Sequence, residues 1–281
     1  VNLIYAVFFH ADGSGHGLAT LGDNTGTARL EADLVDATGP AFEGVDAIST
    51  GMAIVQGGLA QAILLDHTGR QQPPTEIIHK RPAVIERTTL RNGAPARTTS
   101  LQRGAQQLAA EGLAQDKAPV RITEFSIDNV HTGKDSDTEQ VLAHLRQLVD
   151  SNEWVMLTAM GPTYRLSSYL RRYSQQPVRY VAGISTLVML LCDKFYGNSG
   201  SSMLEATGKL FSEDARIYVQ SMSRDEFELH IAAAGLSSEW FVVAGDNEDV
   251  SLGNLSFLGS VQKLYEYLLE SDWIEALQPG A

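Results

Sequence analysis

Cysteine is nearly missing from this chain: Cys192 is the single one in 281 residues. One thiol closes no internal disulfide and builds no paired-cysteine zinc site. It lies in ISTLVMLLC, an apolar setting that suits a buried, inert thiol. Long apolar runs are missing as well, and none approaches the roughly 20 residues that span a bilayer. The first nine residues are apolar but have no basic leader and no small-residue cleavage site, so they read as a strand rather than a signal peptide. A cytoplasmic protein with no membrane attachment is the expectation. Positive charge is scarce: 21 Lys and Arg face 34 Asp and Glu, a formal charge of −13. That balance opposes general adhesion to polyanions and confines any nucleic-acid contact to local basic patches. Low-complexity linkers are also lacking, and the mixture of apolar and charged residues is that of a folded chain.

What is present alternates strand and helix signals. VNLIYAVFF is β-rich. Residues 28–34 alternate Ala28, Leu30, Ala32 and Leu34 with polar neighbours, so the first 35 residues read as a three-strand meander. VDAISTGMAIVQGGLAQA reads as a helix and AILLD at 62–66 as a buried strand ending in Asp66. Residues 67–100, rich in Pro, Thr and Arg, suggest a long loop or a hairpin centred on Asn92-Gly93. A helix (TSLQRGAQQLAAEGL), a strand (PVRITEFSI) and a helix opened by Ser136-x-x-Glu139 follow. The last carries an apolar stripe of Val141, Leu142, Leu145, Leu148 and Val149. After residue 151 come strand EWVMLTAM, helix PTYRLSSYLRRYSQQ, the apolar segment 181–192, strands at RIYVQSM, FELHI and WFVVA, and a closing helix at VQKLYEYLLESDW. The expected class is α/β, a mixed sheet with flanking helices. Residues 1–150 form a first region and 151–281 an α/β extension, with a soft boundary that allows one domain.

The segment FFHADGSGHG has four readings. It is a tight turn with glycines for positive φ. It is a phosphate-cradling loop, although its G-x-G-x-G spacing is not the dinucleotide fingerprint. It is a metal site of His10, Asp12 and His16. Or Asp12 is a lone carboxylate at a strand end, one of several converging on divalent metal.

The order ADGSG at a strand end, meander, helix with Glu43 and Asp46 at its start, and strand ending ILLD at Asp66 resembles the ribonuclease H fold. The stretch LQRGAQQLAAEGLAQDKAPVRITEFSIDNVHTGKDSDTEQVLAHL resembles that family's last elements, with His131, Gly133 and Glu139 in similar places. The resemblance covers about 150 residues. It implies Mg2+ or Mn2+ held by Asp12, Asp66 and Glu43 or Asp46, with His131 assisting turnover of a phosphodiester. No carboxylate occurs over residues 47–60 or one turn inside the last helix, where the family carries ligands.

Two basic stretches stand out. Between His79 and Arg103 lie Lys80, Arg81, Arg87, Arg91, Arg97 and Arg103 against Glu86 alone. Some ribonuclease H proteins carry a basic protrusion in this interval that grips the duplex. The plain alternative is a solvated loop paired with the chain's own carboxylates. In YRLSSYLRRYSQQPVRY, Arg165, Arg171, Arg172 and Arg179 interleave with tyrosines, and no acid occurs between Glu153 and Asp193. Such a surface suits stacked bases and phosphates, or a protein interface. Of the histidines, His67 follows Asp66, while His144 and His230 are expected on exposed faces. Two functions follow. One is a metal-dependent nuclease or phosphodiesterase whose substrate contacts include Lys80, Arg81, Arg87, Arg91, Arg171 and Arg172. The other is a non-catalytic assembly or adaptor protein that binds a protein partner or itself.

Overall fold

The six longest strands all place apolar side chains on both faces, which is how a sheet covered by helices on both sides reads. In the computed structural model, residues 44–88, 98–112, 117–129, 138–151, 153–196 and 202–280 are described. Helix α1 (Ala47–Gln56) leads to β1 (Ala62–Leu65), β2 (Gln71–Gln72) and the one-turn α2 (Pro74–Ile77). An alternating series follows: β3 (Ala83–Thr88), α3 (Thr98–Ala110), β4 (Val120–Ser126), α4 (Thr138–Val149), β5 (Trp154–Thr158), α5 (Thr163–Leu170), β6 (Val178–Gly183) and α6 (Ile184–Leu190). Then come α7 (Met203–Leu210), β7 (Ala215–Gln220), β8 (Met222–Ser223), α8 (Arg224–Ala233), β9 (Phe241–Val243), β10 (Asp249–Val250), β11 (Leu255–Phe257), α9 (Val261–Glu270) and β12 (Ile274–Ala276).

Eight strands form one sheet in the order β12-β7-β6-β3-β4-β5-β1-β2. Six of them, β3 to β7 and β12, are parallel, while β1 runs antiparallel to β5 and to β2. The parallel strands step outward from β3 through β4 to β5, then return to the other side of β3 and step through β6 and β7 to β12. Helices cover both faces. Val84, Val181 and Tyr218 pack with Leu101 and Leu108 of α3, and Phe125, Val155 and Leu157 pack with α1 and α4. Ile85, Ile122, Tyr180 and Ile217 face α5, α6 and α7. The molecule is thus an α/β protein with a mostly parallel, doubly wound sheet. Strands from before and after residue 151 share that sheet.

Local sequence explains the elements. Asp46 caps α1 by accepting from the Ile48 and Ser49 amides, each at 3.3 Å. Gly104 lets α3 lie directly on the sheet, because a Cβ there would fall 2.8 Å from Val181 and 2.9 Å from Val84. The loop expected over residues 67–100 contains β2, α2 and β3, the strand at the heart of the sheet. Pro82 opens it, and AVIERT carries apolar residues on both faces. FELHI is not a strand but the middle of α8, because Ser223 caps the helix and accepts from the Glu226 amide at 3.3 Å. The meander expected over residues 1–35 and the Asn92-Gly93 turn lie outside the described residues. Among the described residues, no helix is long and apolar enough to cross a membrane.

Candidate functional site at the carboxyl edge of the sheet

The strand order reverses between β3 and β6. Connections leave these two strands toward opposite faces, the arrangement that in open parallel sheets marks the carboxyl edge as the place for a ligand crevice. Alternation along β3 gives that edge two kinds of side chain. Glu86 and Thr88 point toward α3, and both are buried. Ser100, in the first turn of α3, donates its hydroxyl to Glu86 Oε2 at 2.6 Å. Arg87 points to the other face and meets Glu124, its direct neighbour on β4.

This second pair is a fork. Arg87 Nε and Nη2 donate to Glu124 Oε2 and Oε1 at 2.5 and 3.1 Å. Nη2 also donates to the Met160 carbonyl at 2.8 Å, and Nη1 donates to the Gly161 carbonyl. Thr158 Oγ1 donates to Glu124 Oε1, and Glu124 is fully buried. The pair therefore fixes the turn between β5 and α5, and Asp128 adds to it by accepting from the Gly161 amide at 3.1 Å. Ser126, last residue of β4, lies on the Glu124 side and is buried, with its hydroxyl unpartnered.

Across the crevice, β6 ends at Gly183 and turns directly into α6. Ser185 lies two residues on, 2% exposed, with Oγ 3.1 Å from His230 Nδ1 on α8. The imidazole orients the hydroxyl and ties α8 to the strand end. Met222 closes over this point, its Cε 2.8 Å from where a Cβ on residue 183 would stand. The amino end of α3 meets the same edge, and the positive end of its dipole favours negative charge there. Deeper under α5, burial pushes the Tyr180 hydroxyl up to about 12, so it stays protonated at neutral pH.

Two of the acidic residues singled out in the sequence, Asp46 and Asp66, lie at the other end of the sheet. Leu65 pairs with Val155 near the start of β5, so Asp66 leaves the sheet where the parallel strands begin. Its Oδ1 accepts from the Thr68 amide (2.8 Å), the Thr68 hydroxyl (2.6 Å) and the Arg70 amide (3.1 Å), and Oδ2 accepts from Gln72 Nε2 (2.9 Å). Partial burial works to raise this carboxyl, but these bonds outweigh it and hold it below the usual range. Asp46 is treated alike: burial opposes ionisation, while Arg146 (2.8 Å) and the two capped amides favour it and win. Among the described residues no three His, Cys, Asp or Glu side chains converge as metal ligands. Asp12, Glu43 and His131 lie outside the described residues.

The basic stretches are threaded through the fold rather than laid on one surface. Lys80 (exposed) and Arg81 precede β3 at the amino edge, and Arg81 Nη2 donates to the Ala118 carbonyl at 3.0 Å. Arg87 lies at the carboxyl edge, six strand residues away, roughly 20 Å. Arg91 and Arg97 lie outside the described residues. Arg171 is largely buried, donating to the Gln176 carbonyl at 2.7 Å. Arg172 is exposed and stacks over Tyr169, 5.5 Å from its centroid. Arg179 is fully buried between Glu111 (2.5 Å) and Asp214 (3.0 Å). Tyr164, Tyr169 and Tyr180 are core residues. His144, expected outside, is buried with its ring 5.3 Å from Phe125, and His230 is half-buried. His67 is exposed.

Sequence reading missed Glu124, Thr158, Ser185 and His230. Charges inside β-branched runs, as in AVIERT and VRITEFS, signal a buried ion pair. Nothing in the sequence pairs residues 185 and 230. The fold and this edge define a doubly wound α/β protein with polar side chains gathered at its switch point. Neither a known protein family nor a curated protein matches the chain.

Proposed function

We propose that the protein binds a phosphorylated small molecule, such as a nucleotide, in the crevice between the carboxyl ends of β3 and β6. The observation that carries this reading is the reversal of strand order between those two strands, the place where open parallel sheets take ligands. Three features support an anionic, hydroxyl-bearing ligand. The amino end of α3 favours negative charge there. Glu86, Thr88 and Ser100 make the β3 side of this edge polar. The chain between β3 and α3 carries Arg91 and Arg97 in its sequence, each able to pair with phosphate.

Thermal melting with millimolar ADP, AMP or pyrophosphate tests it. A bound ligand raises the melting temperature by linkage. Glu86→Gln removes an acceptor, so it reduces the rise with ADP but leaves the rise with pyrophosphate. No rise with any of the three contradicts the proposal.

Metal-dependent cleavage of nucleic acid is a separate and narrower proposal, resting on the ribonuclease H resemblance. It places the chemistry at the amino edge, with Asp66 and either Asp46 or Glu43, and it needs Asp12 to join them around Mg2+ or Mn2+. Both described carboxylates already satisfy local backbone groups and do not supply a metal pair alone. A melting rise with Mn2+ that Asp12→Ala abolishes supports that proposal, and no Mn2+ effect removes it. The outcomes of the two tests are independent.

A further inference from the structure

The chain's negative charge is not spread evenly. Residues 202–280 carry fourteen Asp and Glu against four Lys and Arg. Three of the four cations are engaged: Lys209 with Glu205, Arg216 with Glu275, and Arg224 with the carbonyls of Gly245 and Asn247. The acids concentrate around α8. Its inner face is apolar and settled, with Phe227 and Ile231 buried and Phe227 edge-on to Phe241. Its outer face is not. At 3.6 residues per turn, Asp225, Leu229 and Ala232 share one exposed stripe, with Glu226 and Glu228 on its two sides. Leu229 is 69% exposed, the most exposed large apolar side chain among the described residues. The exposed turn leading into β10 brings Asp246, Glu248 and Asp249 against the start of α8, since Arg224 N donates to Glu248 O at 2.7 Å and β10 pairs with β8. None of these acids forms a salt bridge with a described residue.

We infer that the outer face of α8, with the 245–249 turn, is a docking surface for a basic amphipathic segment of another polypeptide. The apolar stripe of Leu229 and Ala232 takes an apolar side chain, and the rim of carboxylates takes the flanking lysines or arginines. Charge complementarity selects this occupant. A polyanion is repelled. A second copy of this chain using the same face would oppose two acidic rims. The inference is independent of the crevice and of any ligand held there.

A fluorescent 18-residue Lys/Leu peptide patterned as an amphipathic helix is the probe, read by anisotropy at low and moderate salt on the full chain. Its controls are a scrambled peptide of equal composition and an all-Lys peptide of equal charge. The patterned peptide binds best, and its affinity falls with salt. Leu229→Gln weakens it about 5-fold or more. Glu226→Gln with Glu228→Gln does the same, while Glu266→Gln with Glu270→Gln on α9 has little effect. All three variants are at exposed positions, and circular dichroism confirms their folding. Three results overturn the inference: no binding of the patterned peptide, equal binding of the scrambled or all-Lys peptide, or indifference to Leu229→Gln. Self-association lost on Leu229→Gln, seen by sedimentation, assigns the face to a second copy and overturns it as well.

Discussion

Asp66 spends four hydrogen bonds on one turn. The run Asp66-His67-Thr68-Gly69 closes the β1–β2 hairpin, with Gly69 at φ +77°. Aspartate at the first position and glycine at the left-handed position are what such a turn requires. Asp66→Ala is therefore expected to cost about 1–2 kcal/mol in urea unfolding, through the orphaned amides. The sign of its pH dependence follows from the direction of its shift. Its folded-state carboxyl lies below the unfolded one, so its stabilisation is complete above the unfolded value and is lost as pH falls through the folded value. Asp46 behaves alike. Wild type loses stability below about pH 4, and Asp66→Asn is expected to flatten that loss. An unchanged acid limb would deny Asp66 this role. Arg87 and Glu124 differ, because Glu124 is out of water. Arg87→Met leaves a buried carboxylate uncompensated and is expected to cost about 3–5 kcal/mol. Adding Glu124→Leu should return much of that loss. A strictly additive double mutant would mean that the two side chains do not depend on each other.

At the scale of elements, α3 is the tightest contact with the sheet. Gly104→Ala puts a methyl against Val84 and Val181 and is expected to cost about 1–3 kcal/mol by overpacking. A neutral result in urea unfolding would mean that α3 moves freely. Ser223→Ala removes the α8 cap, about 1 kcal/mol. That cap also shows where sequence reading stopped short. Alternation of Phe227, Leu229 and Ile231 fits a strand, but Ser223-x-x-Glu226 is a capping box, and capping decides the element. In the helix Leu229 swings to the outside, the origin of the exposed stripe. Helices with clear periodicity, α1, α3 and α4, were legible from their apolar spacing. So were β1, β4 and β5. Strand β3 was not: it is bracketed by prolines and arginines that read as a loop, and its partners lie 37 and 95 residues away along the chain, as Ala83 pairs with Val120 and Val178. His144 was misplaced because its ring packs on Phe125, a contact between elements that helical periodicity does not reveal.

At the scale of the whole molecule, the alternation of strands and helices was enough to give the α/β class, but strand order was not readable. Order is set by which strands pair, and pairing of nearly uniform apolar strands leaves little trace in any one of them. The candidate site depends on that order alone. Asp46 and Asp66, two of the acids picked out by sequence, lie at the amino edge, stabilising a cap and a turn, while the candidate site lies at the carboxyl edge among residues that no motif marks. Charge follows a third division. Basic residues thread the central sheet, and most of the acids between residues 225 and 270 face outward around α8 and α9. The two proposals thus fall on separate regions, the anionic ligand at the carboxyl edge of β3 and β6 and the cationic chain at the acidic face of α8.

Amide chemical-shift mapping during titration with ADP distinguishes the two edges most directly. Binding at the crevice shifts the amides of Thr88, Ser100, Ser126 and Gly183 through Ser185 together, along one saturating curve. Shifts confined to the neighbourhood of Asp46, Asp66 and Lys80, or no saturable shift at all, would contradict a ligand site at the β3–β6 switch point.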